Sequence, residues 1–97
     1  MSHSFRPAAR RELLDATQWY LEEGGPVAAE RFEWAITRAL SLLEFMPNIG
    51  TPSYPGVRTW PLKGFPYTLV YRVQGESTTV IALAHQSREP GYWRRRP

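Results

Sequence analysis

Apolar residues in the first half of the chain recur every three or four positions. From Pro7 to Glu23, Ala9, Leu13, Ala16 and Tyr20 follow at intervals of four, three and four, with Leu14 and Leu21 widening the stripe. That is the period of a helix with one buried face. Pro7 suits the first helical turn, where a missing N–H costs nothing. Gly24-Gly25 ends this segment and Pro26 begins another, glycine and proline standing where helices stop and start. There Ala28, Phe32, Ile36, Ala39, Leu43 and Met46 repeat at four, four, three, four and three, flanked by Ala35 and Leu42. Glu30, Glu33, Thr37, Arg38, Ser41 and Glu44 cover the remaining surface, and Pro47 ends the segment. The pattern predicts two amphipathic helices joined by Gly-Gly-Pro into an antiparallel hairpin.

The second half reads as strand. Residues 47–56 hold three prolines and two glycines and form a loop. Val57–Leu62 follows, with Pro61 marking an edge or a bulge. Tyr67–Val73 has the β-branched and aromatic residues of a strand, and Gln74-Gly75-Glu76-Ser77 is a hairpin turn. Thr78–His85 is apolar on both faces through Val80–Ala84, which marks a central strand. Ser4-Phe5-Arg6 is short enough for an edge strand. The expectation is one α+β domain over residues 1–97, ordered β-α-α-β-β-β. A helix hairpin covers one face of a small antiparallel sheet, and the other face stays at least partly open.

Size agrees with a single core: 97 residues is one domain's worth. The chain has no cysteine, so it can hold no disulfide framework, zinc ribbon, iron–sulfur cluster or thiol nucleophile. No run approaches the roughly 20 apolar residues of a membrane helix, and the N-terminus lacks a signal-peptide apolar region. A cytoplasmic protein with no membrane partner is expected. The net charge of +3 is unevenly divided, −2 over residues 1–46 and +5 over residues 47–97. Basicity concentrated in one half suits a polyanion or an acidic protein partner, although a solvated Arg-rich tail would give the same sums.

Candidate chemistry lies at the end of the sheet and beyond it: Arg58, Lys63, Arg72, His85, Arg88, Tyr92, Trp93 and Arg94 to Arg96. Arginine offers a planar fork to phosphate or carboxylate, and a neighbouring ring can stack on a base. Each residue also has a plainer role open to it. Arg58 and Arg72 can be solvent-facing strand positions, Tyr92 and Trp93 an aromatic clamp on the core edge, and His85 a structural hydrogen-bonding group. His3 belongs to a fraying end. Only Glu76 and Glu89 are acidic after residue 46, which leaves no carboxylate pair for acid–base work. With two isolated histidines, no metal site or cofactor is implied. No phosphate-cradling glycine loop follows a strand.

Several segments together resemble a known family. They are Ala9-Arg10-Arg11-Glu12-Leu13-Leu14-Asp15-Ala16 with Trp19-Tyr20, Arg31-Phe32, Pro47-Asn48-Ile49-Gly50 and Val57-Arg58. They continue through Leu62, Phe65-Pro66-Tyr67, Leu69-Val70-Tyr71-Arg72-Val73 and His85-x-x-Arg88-Glu89-Pro90-x-Tyr92-Trp93. In this order, from about Phe5 to Arg95, the chain resembles the RelE/ParE superfamily of type II toxin–antitoxin toxins. The resemblance implies a helix hairpin on a small antiparallel sheet. It also implies a growth-inhibiting toxin neutralised by a cognate antitoxin in a hetero-oligomer.

Two branches follow. RelE-like members cleave messenger RNA on the ribosome, and ParE-like members poison DNA gyrase. At the RelE-type basic positions this chain carries Thr59 and Pro61 before Leu62 and Thr68 after Tyr67; Arg88 matches, and Tyr92 is a loose counterpart of the distal tyrosine. Neutral residues cannot compensate charge building on phosphate. The segments Phe65-Pro66-Tyr67 and 85–93 are closer to the ParE branch. The leading expectation is therefore a ParE-like toxin that binds its target through Arg58, Arg72, His85, Arg88, Tyr92, Trp93, Arg94 and Arg95. The alternatives are a ribosome-dependent endoribonuclease using Arg58, Lys63, Arg72, Arg88 and Tyr92, and an inactive toxin-derived scaffold. The antitoxin is expected as an acidic amphipathic helix in a groove between hairpin and sheet, with carboxylates facing Arg72 and Arg88.

Overall fold

The computed structural model describes residues 2–97. Its elements run β1 (Ser2–Phe5), α1 (Pro7–Phe45), β2 (Thr51–Pro52), β3 (Arg58–Pro61), β4 (Tyr67–Gln74) and β5 (Ser77–His85). The strands form one sheet in the order β1-β5-β4-β3-β2. β5 sits in its interior between β1 and β4, where its two-sided apolar run belongs. The fold is α+β, with helix laid on a sheet.

Two expectations change. The sheet is mixed, because β1 pairs with β5 in parallel, Ser2 opposite Ser77 through Phe5 opposite Val80. A parallel partner needs a long crossover, and everything from Arg6 through Glu76 supplies it. Nothing local in Ser2–Phe5 carries that information. The second change concerns the helix. Helical structure runs from Pro7 to Phe45 as one element in which only Gly25, at φ 82° and ψ −178°, leaves helical geometry. The stretches on either side of Gly25 nevertheless lie close together. Tyr20 stacks on Phe32 with centroids 4.8 Å apart, where the intervening residues of a straight helix would span about 18 Å. Glycine alone adopts this φ without strain.

One apolar cluster fills the space between α1 and the sheet: Ala9, Ala16, Phe32, Ile36, Leu40 and Leu43 meet Leu62, Leu69, Tyr71, Val80 and Leu83. The periodic stripe named these helix positions apart from Leu40. Leu14, Leu21 and Met46, which the same periodicity counted with the core, are 58%, 42% and 45% exposed. The opposite sheet face is covered in part. Val57, Val70, Ile81 and Ala82 form a second cluster beneath Trp93, which is 6% exposed.

A bulge explains how β5 feeds both clusters. Val70 pairs with Ala82 and Tyr71 with Val80, so Ile81 is the extra residue. Ile81 and Ala82 then both join the outer cluster, while Val80 and Leu83 face the helix. Pro61 is tolerated because β2 pairs only with Arg58 and Thr59, leaving Pro61 unpaired on that side.

The loop after α1 is pinned from the sheet. Tyr71 is fully buried; its hydroxyl donates to Pro47 O at 2.8 Å and accepts from the Gly50 N–H at 2.9 Å. A Cβ on Gly50 would collide with that hydroxyl and stand 2.9 Å from Thr59 O, so Pro47-Asn48-Ile49-Gly50 needs its glycine for close approach. No helix among the described residues is long and apolar enough to cross a membrane.

Candidate functional site

Two surfaces carry side chains that the fold does not use for its own packing. The first is a groove of about 800 Å³ between the later part of α1 and the β3 end of the sheet. Trp34, Ala35, Leu42 and Phe45 line it from the helix, and Trp60, Pro61 and Phe65 from the sheet side. Trp34 is 64% exposed and Phe45 80%. Both lie off the α1 stripe that packs on the sheet, so the helix has a second apolar face. Arg31, Arg38 and Lys63 stand along the same groove and are exposed. An apolar trough edged by cations fits an amphipathic segment bearing carboxylates.

The second surface lies where α1 meets the residues after β5. Glu12 accepts four hydrogen bonds here: from the Leu83 N–H at 3.0 Å, the Tyr92 hydroxyl at 2.5 Å, and Arg96 Nη1 and Nη2 at 2.8 and 3.0 Å. Arg96 Nη1 also donates to Ile81 O at 3.0 Å, the carbonyl of the bulge residue. β1 stops pairing at Val80, and from there Glu12 and Arg96 occupy the edge of β5 that a further strand residue would have satisfied. Burial alone would push the Glu12 carboxyl up. The hydrogen bonds from Arg96, Tyr92 and Leu83, with the Arg96 charge, outweigh it and hold the carboxyl below its usual range. The Tyr92 hydroxyl is pushed well above the ordinary phenol range, by burial first and then by bonding to the Glu12 carboxylate. The Arg96 guanidinium is held charged by its fork on Glu12.

Arg88 lies over the Tyr92 ring, 3.8 Å from its centroid, and Arg96 flanks the same ring at 5.0 Å. Arg88 Nη1 is 3.9 Å from Glu12, too far for a hydrogen bond. Beside this stack opens a shallow cleft of about 260 Å³, bounded by Asp15, Trp19, Tyr67, His85, Arg88 and Tyr92. His85 Nδ1 accepts the Ser87 N–H at 3.0 Å. In the neutral ring the proton is then on Nε2. Tyr67 meets the His85 ring edge-on at 4.9 Å.

The structure separates the residues singled out from sequence. His85, Arg88 and Tyr92 share the cleft. Arg94 and Arg95 are exposed nearby in sequence, Arg94 lying 5.5 Å from the Tyr54 ring. Trp93 is buried in the outer cluster. Arg58 is taken up by the loop, donating to Asn48 O at 3.1 Å and Gly50 O at 2.8 Å. Lys63 stands on the groove. Arg72 is two residues before Gln74, the far end of β4, and its Nε is buried without a hydrogen-bond partner. Tyr67, opposite His85, is five residues from Arg72 along β4, a separation of about 17 Å. The four cations of a cleavage site are therefore not gathered at one point, and Arg72 and Arg88 do not face one groove.

Sequence reasoning missed Glu12, whose partners are 71 to 84 residues away, and it missed Trp34 and Phe45. The latter two had a readable signal, as large aromatics lying off the helix's periodic stripe.

Residues 4–90 match the family described as "ParE toxin of type II toxin-antitoxin system, parDE". Among solved structures, a chain from the "Chromosomal ParDE TA system from P. aeruginosa" is similar. Its TM-score is 0.75 at 26% identity, over 88% of this chain and 95% of that one. Comparison with curated proteins gives no match.

Proposed function

This chain belongs to the ParE toxin family of type II toxin–antitoxin modules, and from that premise we propose that it arrests growth by binding DNA gyrase and is silenced by a cognate antitoxin. The observation that carries a binding role, in preference to RNA cleavage, is the dispersal of its cations. Arg58 is committed to the loop, Lys63 to the groove and Arg72 to the far end of β4. Arg88 alone of the four reaches the cleft. Cleavage of a phosphodiester needs several donors converging on one developing charge. A protein target needs only a charged and partly aromatic surface; Arg88 and Tyr92 offer one beside the cleft, and Arg94 and Arg95 are exposed further along the same segment.

The antitoxin belongs in the other surface. The groove carrying Trp34, Phe45 and Trp60 suits an acidic amphipathic helix, with carboxylates opposite Arg31, Arg38 and Lys63. This moves the expected ion pairs away from Arg72 and Arg88. Such a segment folds on binding and draws affinity from apolar area, with charge steering the encounter.

The test uses purified toxin against two targets in parallel. Inhibition of gyrase supercoiling, with ribosome-bound messenger left intact, is the expected outcome. Messenger cleavage with normal supercoiling refutes the reading.

A further inference from the structure

We propose that Glu12 is the positioning residue of the target-binding surface: one carboxylate on α1 fixes, through Tyr92, the direction in which Arg88 points. The proposal rests on the reading above that Arg88 and its neighbours meet the target.

The residues after β5 form no strand or helix. Their backbone is held by single-turn hydrogen bonds, Arg88 N to His85 O, Tyr92 N to Glu89 O, Arg94 N to Gly91 O and Arg96 N to Trp93 O. Turns of this kind set local direction but do not fix a segment against the body of a protein. Besides the Gln86 N–H bond to Pro66 O at its start and the Arg96 bond to Ile81 O near its end, two contacts do that here. Trp93 is sunk in the outer cluster, and the Glu12 carboxylate binds Tyr92 and Arg96 together. Trp93 settles where the segment lies. Glu12 settles where the Tyr92 ring points, because it holds the hydroxyl at the ring's far end.

Arg88 takes its place from that ring. It is half exposed, has no hydrogen-bonded carboxylate, and stacks on the Tyr92 face at 3.8 Å. A guanidinium held over a phenol ring follows that ring, so a displaced ring moves the fork with it. Glu12 is itself anchored: its side chain is 16% exposed, and it accepts the Leu83 N–H of the interior strand β5. The order of control runs from sheet to Glu12, from Glu12 to Tyr92, and from Tyr92 to Arg88.

The experiment compares Glu12→Gln, Tyr92→Phe and Arg88→Ala in the full chain, expressed in bacteria at matched levels and purified for amide hydrogen exchange. For Glu12→Gln, exchange over residues 86–96 should rise while β4 and β5 keep their protection. Growth arrest should weaken roughly tenfold or more, the scale of one lost charge-assisted hydrogen bond. Tyr92→Phe keeps the ring but cuts its tie to Glu12, leaving the sheet edge capped, so it gives the same answer should Glu12→Gln fold poorly. Wild-type arrest in a variant whose 86–96 segment has loosened overturns the proposal. Exchange that rises equally across β4 and β5 also overturns it, since Glu12 would then only stabilise the fold. If Arg88→Ala still arrests growth fully, the underlying reading of the target surface fails and takes the proposal with it.

Discussion

Replacing Phe45 with alanine should separate folding from neutralisation. Phe45 is the last residue of α1 and 80% exposed in the free chain. A partner that covers this ring removes most of the ~200 Å² an aromatic side chain carries. At ~25 cal/mol per Å², some 160 Å² of newly buried surface sets a ceiling near ~4 kcal/mol. Alanine keeps part of that area and the docked segment relaxes towards it, so the expected loss is about 2–3 kcal/mol. That corresponds to roughly 30- to 150-fold in Kd. The free toxin should lose almost nothing, because exposed side chains contribute within about 0.5 kcal/mol. Calorimetric titration of the cognate antitoxin's toxin-binding segment into wild type and Phe45→Ala, with thermal melts of both, makes the measurement. An unchanged Kd refutes the groove as the docking site. So does a weakened Kd accompanied by an equal fall in stability, because Phe45 would then belong to the fold.

Three further outcomes are expected. Tyr71→Phe leaves the buried Gly50 N–H and Pro47 O without their partner and should cost about 1–3 kcal/mol, read as a drop of roughly 4–8 °C in Tm per kcal/mol. Trp93→Ala strips the cover from the outer cluster and should cost about 3–5 kcal/mol in urea unfolding, a large share of a small domain's total. The Glu12 carboxyl is held below its ordinary value of 4.5 in the folded chain. Its contribution to stability is therefore complete above that value and disappears as pH falls through the lower folded value. Glu12→Gln should flatten the acid limb of a stability–pH curve; an unchanged acid limb contradicts the assignment.

Local pattern revealed most of the elements, and distance in sequence hid the rest. The period of three and four gave the buried helix positions, because that face is settled by one contact surface. It placed Leu14 and Leu21 with the core for want of information on how wide that surface is. The apolar run Val80–Ala84 correctly marked an interior strand, but the run's cause is partly a bulge at Ile81, which no alternation rule can separate from two-sided burial. The parallel pairing of β1 depends on a crossover, and Glu12 depends on Tyr92 and Arg96 at the other end of the chain. In the candidate site, residue type alone grouped Arg58, Arg72 and Arg88. In the fold Arg58 starts β3 and bonds the preceding loop, Arg72 lies near the far end of β4, and Arg88 borders the cleft; of the candidates only Arg88, His85 and Tyr92 stayed together.

The parallel edge of the sheet also has a meaning in time. β1 leaves the ribosome long before β5, yet among the described residues its strand partner is β5. Synthesis proceeds at roughly 5–20 residues per second, so for several seconds the nascent chain holds a helix and a waiting strand but no finished sheet. Glu12 must wait as well, since Leu83, Tyr92 and Arg96 are made more than 70 residues after it. A newborn chain of this design stays incomplete until β5 and residues 86–96 appear, and during that interval its apolar helix is already open to capture.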